Sequence, residues 1–131
     1  MMDVPRTDQK ARDACTRWEI MNAVLQLSGD VRYVALYADG TLGTLARAAD
    51  DASAAESDRY EELLVNPTLM LLTRQRGDID CGGMSYVVVR YGGFFQLVMP
   101  WRSGHASVAL ELAADPIAWQ PIISRTLRAS W

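Results

Sequence analysis

Two residue types in this 131-residue sequence could carry acid, base or nucleophilic chemistry. His105 is the only histidine, so a proton-transfer scheme or a histidine-bound metal would have to use it. Cys81 lies in the turn-rich run Gly77–Gly83 next to Asp78 and Asp80, and neighbouring carboxylates disfavour the thiolate that a nucleophilic cysteine needs. We therefore expect His105 to be an exposed or hydrogen-bonded residue at a strand end, and Cys81 to be a small residue ahead of a strand.

Motifs for metal ions and phosphate groups are incomplete. The run Asp78-Ile79-Asp80 resembles the start of a calcium loop, but Val89 occupies the position of the bidentate glutamate. Gly40 and Gly43 are followed by strand-forming residues, not by the helix with lysine and serine or threonine that cradles phosphate. A zinc-type spacing of cysteine and histidine is also missing. The sequence predicts no metal, no cofactor and no catalytic residue. A Cys81-dependent enzyme is kept as a less favoured alternative.

Composition and charge exclude several classes of partner. The net charge is -3 and the arginines are scattered, so the basic surface needed for nucleic acid is missing. The sequence has no apolar run of about 18 residues that could span a bilayer, and its first residues lack the apolar core of a signal peptide. We expect a cytoplasmic protein whose Cys15 and Cys81 are reduced thiols. Its length fits one domain, with residues 1–7 as a flexible lead-in and residues 8–131 as the folded part.

Three consecutive strands form the most distinct part of the pattern. Runs rich in β-branched and aromatic residues are separated by Gly92-Gly93 and by Arg102-Ser103-Gly104, which predicts an antiparallel meander. The predicted strands are Met84–Arg90, Phe94–Met99 and His105–Leu112. The remaining elements must cover or extend this sheet.

Two further strands and three helices complete the predicted fold. Apolar residues at spacings of three and four predict a helix from Asp8 to Leu27, and the turn at Asp39-Gly40 predicts a hairpin of Val31–Tyr37 with Thr41–Arg47. A last helix runs from Asp115 toward Arg128. The order α-ββ-α-βββ-α predicts an α+β fold, with a five-stranded antiparallel sheet and helices on its faces.

The middle helix is predicted to start near Asp58, because Glu61 three residues later fits a capping box. Pro67 predicts a kink or a restart, with Asn66 as the new N-cap, and Gly77 predicts the end. The apolar face is predicted to consist of Tyr60, Leu63, Leu64, Pro67 and Leu71.

The meander carries apolar side chains on both of its faces, whereas one apolar face would suffice to close a small core. Two interpretations follow. Either helices cover both faces, or part of this surface docks with a strand edge onto another copy or a partner protein.

The order of the elements and their turns resembles the roadblock/dynein light chain family, whose small bacterial members are similar to profilin-like domains. The matching features are the end of the first helix at Leu27-Ser28-Gly29, the strand and turn Val31–Gly40, the helix Tyr60–Arg76, and the hairpin of Ser85–Tyr91 with Phe94–Met99. The closing strand and helix follow in family order. The likeness extends over nearly the entire chain from the first helix onward.

This resemblance implies a non-catalytic regulator or scaffold protein that forms a homodimer and, in bacteria, pairs with a small Ras-like GTPase. In such a dimer the second helix and the first strand of the meander would meet their symmetry mates and join two sheets into one. The residues implied near the two-fold axis are Tyr60 and Leu64, together with the residues on one face of the strand. That face carries either Ser85, Val87 and Val89 or Met84, Tyr86 and Val88.

A small-ligand sensor of PAS-like or profilin-like architecture is the alternative function, because it shares much of this element order. In that protein Trp18, Trp101, Trp119 or Tyr33 would line a cavity between helix and sheet. The fold alone does not decide between a regulator and a sensor.

Overall fold

A computed structural model describes residues 6–47 and 55–129 of the chain. The helices are α1 (Arg6–Leu25), α2 (Ala55–Tyr60), α3 (Asn66–Asp80) and α4 (Pro116–Arg128). The strands are β1 (Val31–Ala38), β2 (Thr41–Ala46), β3 (Val87–Arg90), β4 (Phe95–Trp101) and β5 (Gly104–Leu110). A π-helical turn, Glu61–Val65, joins α2 to α3. None of the helices in these two ranges is long and apolar enough to cross a bilayer.

The five strands form one antiparallel sheet in the order β2-β1-β5-β4-β3. This confirms the predicted α+β fold and its element order, when α2, the π turn and α3 are counted as one helical segment. β1, β5 and β4 are paired on both sides. In the described part of the chain, β2 and β3 are the outer strands, so each leaves one backbone edge unpaired.

The turns follow from the residues at their tips. Asp39 and Gly40 both have positive φ, 55° and 75°, which is the conformation of a two-residue type I′ hairpin and confirms the predicted turn between β1 and β2. The predicted β3–β4 hairpin is also present, since the Tyr91 amide donates to the Phe94 carbonyl at 2.9 Å. β4 continues beyond its predicted end at Met99 as far as Trp101.

Helices α1 and α4 pack on one face of the sheet and close the main core. Trp101 is buried there and its indole donates to the Leu127 carbonyl at 3.2 Å. Arg17 of α1 is also buried and donates to the carbonyls of Ala38 at 3.0 Å and Thr41 at 2.9 Å. These bonds hold α1 against the β1–β2 hairpin.

The second helical segment packs on the opposite face and buries a different side from the predicted one. Its buried residues are Glu62, Asn66, Met70 and Gly77. The predicted apolar face is wrong as a buried face, because Tyr60, Leu64 and Leu71 are each more than half exposed. The predicted N-cap is also wrong: Asn66 is helical (φ -66°, ψ -41°), and its side chain bonds to Glu62 of the π turn and to Ser107 of β5.

Pro67 stands in the first turn of α3, and the α-helix restarts at Asn66 after the π turn, as predicted, although the chain stays helical across the change. Proline lacks an amide hydrogen, and the π turn just before it takes up the resulting irregularity. The predicted helix end at Gly77 is wrong, since α3 runs on to Asp80. Glycine is required at this position because an added Cβ would lie 2.9 Å from the Gly83 backbone.

Some predicted boundaries shift. β3 begins at Val87, so the predicted strand start at Met84 is wrong and residues 84–86 lead into the strand. α1 begins at Arg6 and ends at Leu25, and residues 1–5 of the predicted lead-in lie outside the described residues. The connection predicted over residues 48–56 lies mostly outside them too, although Ala55 already belongs to α2.

Candidate functional site

A buried carboxylate, Glu62, is the centre of a hydrogen-bond network on the α3 face of the sheet. Its Oε2 accepts a hydrogen bond from the Tyr33 hydroxyl at 3.1 Å, and its Oε1 accepts one from the Asn66 amide at 2.8 Å. The same Oε1 lies 2.9 Å from Nε2 of the buried His105. We expected His105 to be either exposed or hydrogen-bonded, and the structure shows the hydrogen-bonded case. Its partner, Glu62, belongs to the helical segment that covers this face of the sheet.

The network extends across the sheet through short polar side chains. The Asn66 amide also reaches Ser107 Oγ at 3.4 Å, and the Gln96 amide donates to the same Ser107 oxygen. The Asn66 Oδ1 atom is buried and has no hydrogen-bond partner among the residues that the structure describes. The network thus links the π turn to β1, β4 and β5.

The π turn gives two consecutive glutamates different environments. A π turn fits an extra residue into the helix and is often found at functional sites. Glu62 points into the buried network, whereas both oxygens of Glu61 lie 3.0 Å from the Tyr91 hydroxyl that donates to them. The turn is therefore bound both to the centre of the sheet and to the residue that follows β3.

A cleft of about 440 Å³ opens beside the π turn, at the end of the sheet where β1 and β4 begin and β5 ends. This volume falls within the range of roughly 300–1,000 Å³ that small-molecule sites occupy. Its chemically distinctive lining residues are Arg32, Tyr33, Glu61, Glu62, Tyr91 and Phe94. Acidic and aromatic side chains thus share one concave surface.

Burial changes the protonation behaviour of this lining. It raises the pKa of Glu61 above its ordinary value of 4.5, although the hydrogen bond from Tyr91 acts in the opposite direction. Burial and the hydrogen bond to Glu61 raise the pKa of Tyr91 to about 12. Burial and the nearby Glu62 raise the pKa of Tyr33 as well. Both phenols therefore stay protonated near neutral pH and can donate hydrogen bonds.

Arg32 lies at the rim of the cleft and is bound on several sides. Its Nη1 donates to the Gly93 carbonyl at 3.3 Å, and its Nε lies 3.4 Å from Glu111 Oε1. Its Cζ lies 5.2 Å from the centre of the Phe94 ring. The guanidinium is thus engaged by a carbonyl, a carboxylate and an aromatic face.

A second surface feature is a row of exposed apolar side chains on α2, the π turn and α3, which we call the outer stripe. Their exposed fractions lie between 56% and 75%. The members are Tyr60, Leu64, Leu71, Leu72 and Ile79. Large apolar groups concentrated on one helical segment are typical of a surface that binds another protein.

β3 runs beside the helical segment that carries the outer stripe. Beyond its end, the Tyr91 hydroxyl donates to Glu61 at 3.0 Å, and ahead of its start the Gly83 amide donates to the Gly77 carbonyl at 3.1 Å. The outer stripe is therefore carried by a helical segment that is hydrogen-bonded to the residues on both sides of the edge strand β3.

The strand residues predicted for the dimer interface alternate between the two faces of the sheet. Val87 and Val89 pair with Val98 and Gln96, and paired residues share a face, so both lie on the α3 face. Tyr86 and Val88 pack against the main core on the other face. Met84 is partly exposed and Ser85 is exposed, while Tyr60 and Leu64 lie in the outer stripe.

The residues that could have formed an enzyme site are not brought together. The Ser103 hydroxyl bonds to Asp39 Oδ1 at 2.7 Å, and the exposed Cys81 thiol donates to Asp80 at 3.3 Å. Among the residues that the structure describes, no three histidine, cysteine or acidic side chains are placed to hold a metal ion. Of the four aromatic residues considered for a sensor cavity, Tyr33 lines the cleft and Trp18 is exposed, whereas Trp101 lies in the main core and Trp119 packs against it.

The sequence interpretation missed Glu62, Asn66 and Glu61 as site residues. One signal was present: Glu62, Asn66 and Met70 follow one another at spacings of four and therefore share a helical face. Their mixed polarity concealed it, because an apolar face was expected. Nothing in the sequence placed Tyr91 against Glu61, which is a contact over 30 residues.

The sheet order and the covering helices agree with the roadblock fold of the solved structures to which this chain is similar. No family model matches the sequence, and no curated protein matches it. Solved structures do. A roadblock/LC7 domain from Streptomyces avermitilis superposes with a TM-score of 0.64 at 19% identity, over 85% of this chain and 91% of that one.

Two MglB structures share the same fold. One, described as MglB with tetrameric arrangement, has a TM-score of 0.65 at 15% identity and covers 90% of this chain and 85% of its own. The gliding protein MglB from Thermus thermophilus has a TM-score of 0.62 at 13% identity, over 85% of this chain and 82% of that one. At these identities the likeness is one of fold.

Proposed function

We propose that this protein is a non-catalytic regulator or scaffold that acts as a homodimer and binds a protein partner, a small Ras-like GTPase being the partner class that the roadblock resemblance implies. The observation that carries the proposal is the outer stripe beside the unpaired edge of β3. The fold of the MglB structures, one of them described as a tetrameric arrangement, supports self-association.

The two surface features suit a single two-fold interface. Pairing β3 with its symmetry mate would satisfy the unpaired backbone edge and extend two five-stranded sheets into one. The same operation would bring the outer stripe of each copy toward the other, and buried apolar area contributes roughly 25 cal/mol per Å². We place Tyr60, Leu64, Val87 and Val89 in the interface, with Met84 at its border. Tyr86 and Val88 would take part through their backbone.

The test is the solution mass by light scattering on a sizing column. We expect the wild type at twice the 14.5 kDa of one chain. Leu64→Arg should shift the mass toward that of one chain, because it places a charge in the centre of the outer stripe without disturbing a buried side chain. Ile117→Arg is the matched control, since Ile117 is 65% exposed on α4, which packs on the other face of the sheet from the outer stripe.

Val87→Arg tests the strand half of the interface, with Thr44→Arg on the opposite edge strand β2 as its control. Circular dichroism must show all four variants folded. A wild type that runs as one chain at all accessible concentrations would refute the dimer. Equal dissociation by Ile117→Arg and Leu64→Arg would refute the stripe as its interface.

Partner binding is tested separately with a Ras-like GTPase encoded beside the gene in its genome. Titration calorimetry against the GDP-loaded and the GTP-analogue-loaded forms should show tighter binding of one form, because a regulator must distinguish the two nucleotide states. Equal or absent binding of both forms would remove the GTPase from the proposal and leave the dimer result unaffected.

A further inference from the structure

The cleft beside the π turn adjoins the surface proposed for dimerisation at Tyr60, while its other lining residues lie outside the outer stripe. It lies between the π turn, the first residues of β1 and the β3–β4 hairpin. Its floor is the sheet and its walls are side chains of several elements, so it is a built concavity and not a gap beside one exposed group. At about 440 Å³ it can accept a small organic molecule.

The walls combine rings with negative charge. Tyr33, Tyr91 and Phe94 contribute aromatic side chains, and Tyr91 and Phe94 lie with ring centres 5.2 Å apart in a tilted pair. The faces of aromatic rings attract cations. Arg32 already shows this attraction in the molecule, since its guanidinium lies over the Phe94 ring. The guanidinium takes up one face of Phe94, so the cleft offers a further cation the rings of Tyr33 and Tyr91 and the remaining surface of Phe94.

The two glutamates of the cleft differ in how fully their oxygens are used. Glu62 is bonded by Tyr33, Asn66 and His105, so its hydrogen-bonding capacity is largely taken within the protein. The two oxygens of Glu61 share the single hydroxyl hydrogen of Tyr91, although a carboxylate can accept about four hydrogen bonds. Glu61 is thus a partly desolvated anion with capacity for a further partner.

A metal ion does not fit this lining as well as an organic cation. The acidic side chains that the structure describes do not converge into a metal-binding group. Metal ions such as calcium also require six to eight oxygen ligands, whereas a methylated ammonium needs only a negative charge and aromatic faces. We propose that this cleft binds a small alkylammonium compound, with Glu61 facing its charge and Tyr33, Tyr91 and Phe94 enclosing its methyl groups.

The experiment is calorimetric titration of the intact protein with choline as the probe. Its neutral isostere 3,3-dimethyl-1-butanol has the same shape without the charge, and it should not bind. Glu61→Gln should weaken choline binding at least about tenfold, which corresponds to about 1.4 kcal/mol. Glu56→Gln is the matched control, because it removes the same charge from an exposed position on α2 and should leave the affinity unchanged.

Phe94→Leu tests the aromatic contribution, since it keeps an apolar side chain and removes the ring face; it should also weaken binding. The folded state of each variant is checked by thermal unfolding without choline. Lack of saturable binding at about 10 mM choline would overturn the proposal, as would equal binding of the neutral isostere or of Glu61→Gln. Because the solution mass is measured independently, failure here does not affect the dimer.

Discussion

Replacing Glu62 by alanine should remove a large part of the stability of this protein. The substitution leaves three donors without their acceptor: the Tyr33 hydroxyl, one N–H of the Asn66 amide, which keeps its bond to Ser107, and the His105 ring. Tyr33 borders the cleft and can turn its hydroxyl toward water, but Asn66 and His105 stay buried. An unsatisfied buried polar group costs about 1–3 kcal/mol, so the two give a loss of about 2–6 kcal/mol. The total free energy of unfolding of a native protein is roughly 5–15 kcal/mol, so this loss is a large fraction of it.

Glu62→Gln should cost much less than Glu62→Ala. Its side-chain oxygen can take the place of Oε1 and still accept from Asn66 and His105, while the Tyr33 hydroxyl can rotate to accept from the new amide. The assay is urea denaturation followed by circular dichroism. All proteins are measured at one concentration, because association makes apparent stability depend on concentration.

Glu19→Ala, at an exposed site on α1, is the control and should stay within about 0.5 kcal/mol of the wild type. The reasoning about the network is refuted if Glu62→Ala loses less than about 1 kcal/mol. It is also refuted if Glu62→Gln loses as much as Glu62→Ala, because the stabilisation would then come from charge and not from the satisfied donors.

Two further predictions concern single positions. Because the pKa of Glu61 is raised in the folded protein, the folded state holds this proton more tightly than the unfolded chain, so the free energy of unfolding falls as pH rises from 4.5 through the folded pKa. Glu61→Gln should therefore be more stable than the wild type near neutral pH and equal to it below pH 4.5 in urea titrations; a constant difference would contradict this. Gly104→Ala should unfold at a much lower temperature, because its Cβ would overlap the Tyr37 carbonyl, whereas Gly92→Ala has open space and should behave as wild type.

The sheet could be predicted from the sequence because its signals are local. Asp39-Gly40 encodes a type I′ turn, Gly92-Gly93 marks a hairpin, and β-branched residues fill the strands between them. The length of β3 could not be predicted. Met84 and Tyr86 fit a strand by residue type, but the chain from Gly83 onward is held against Gly77 by a contact between distant positions, and pairing with β4 starts only at Val87.

The candidate site could not be predicted because polar residues of the helical segment are buried while its apolar residues are exposed. Pattern analysis assigns the apolar side of a helix to the core, and it therefore directed Tyr60 and Leu64 inward. The sheet beneath, however, presents Tyr33, His105 and Ser107 on that face, and these polar groups require hydrogen-bonding partners from the helix. Glu62 and Asn66 supply them. The polarity of the sheet face, which is assembled from distant strands, decides the orientation of the helix.

The same orientation connects the two surfaces of the molecule. Hydrogen bonds are directional, so the bonds of Glu62 fix both the position and the rotation of the helical segment on the sheet. An apolar contact would have allowed sliding and rotation. With Glu62 held inward, the outer stripe is turned outward beside β3 and Glu61 is turned toward the cleft. A buried polar network that costs stability when incomplete therefore gives this fold a single, defined presentation of the surface on which its proposed function depends.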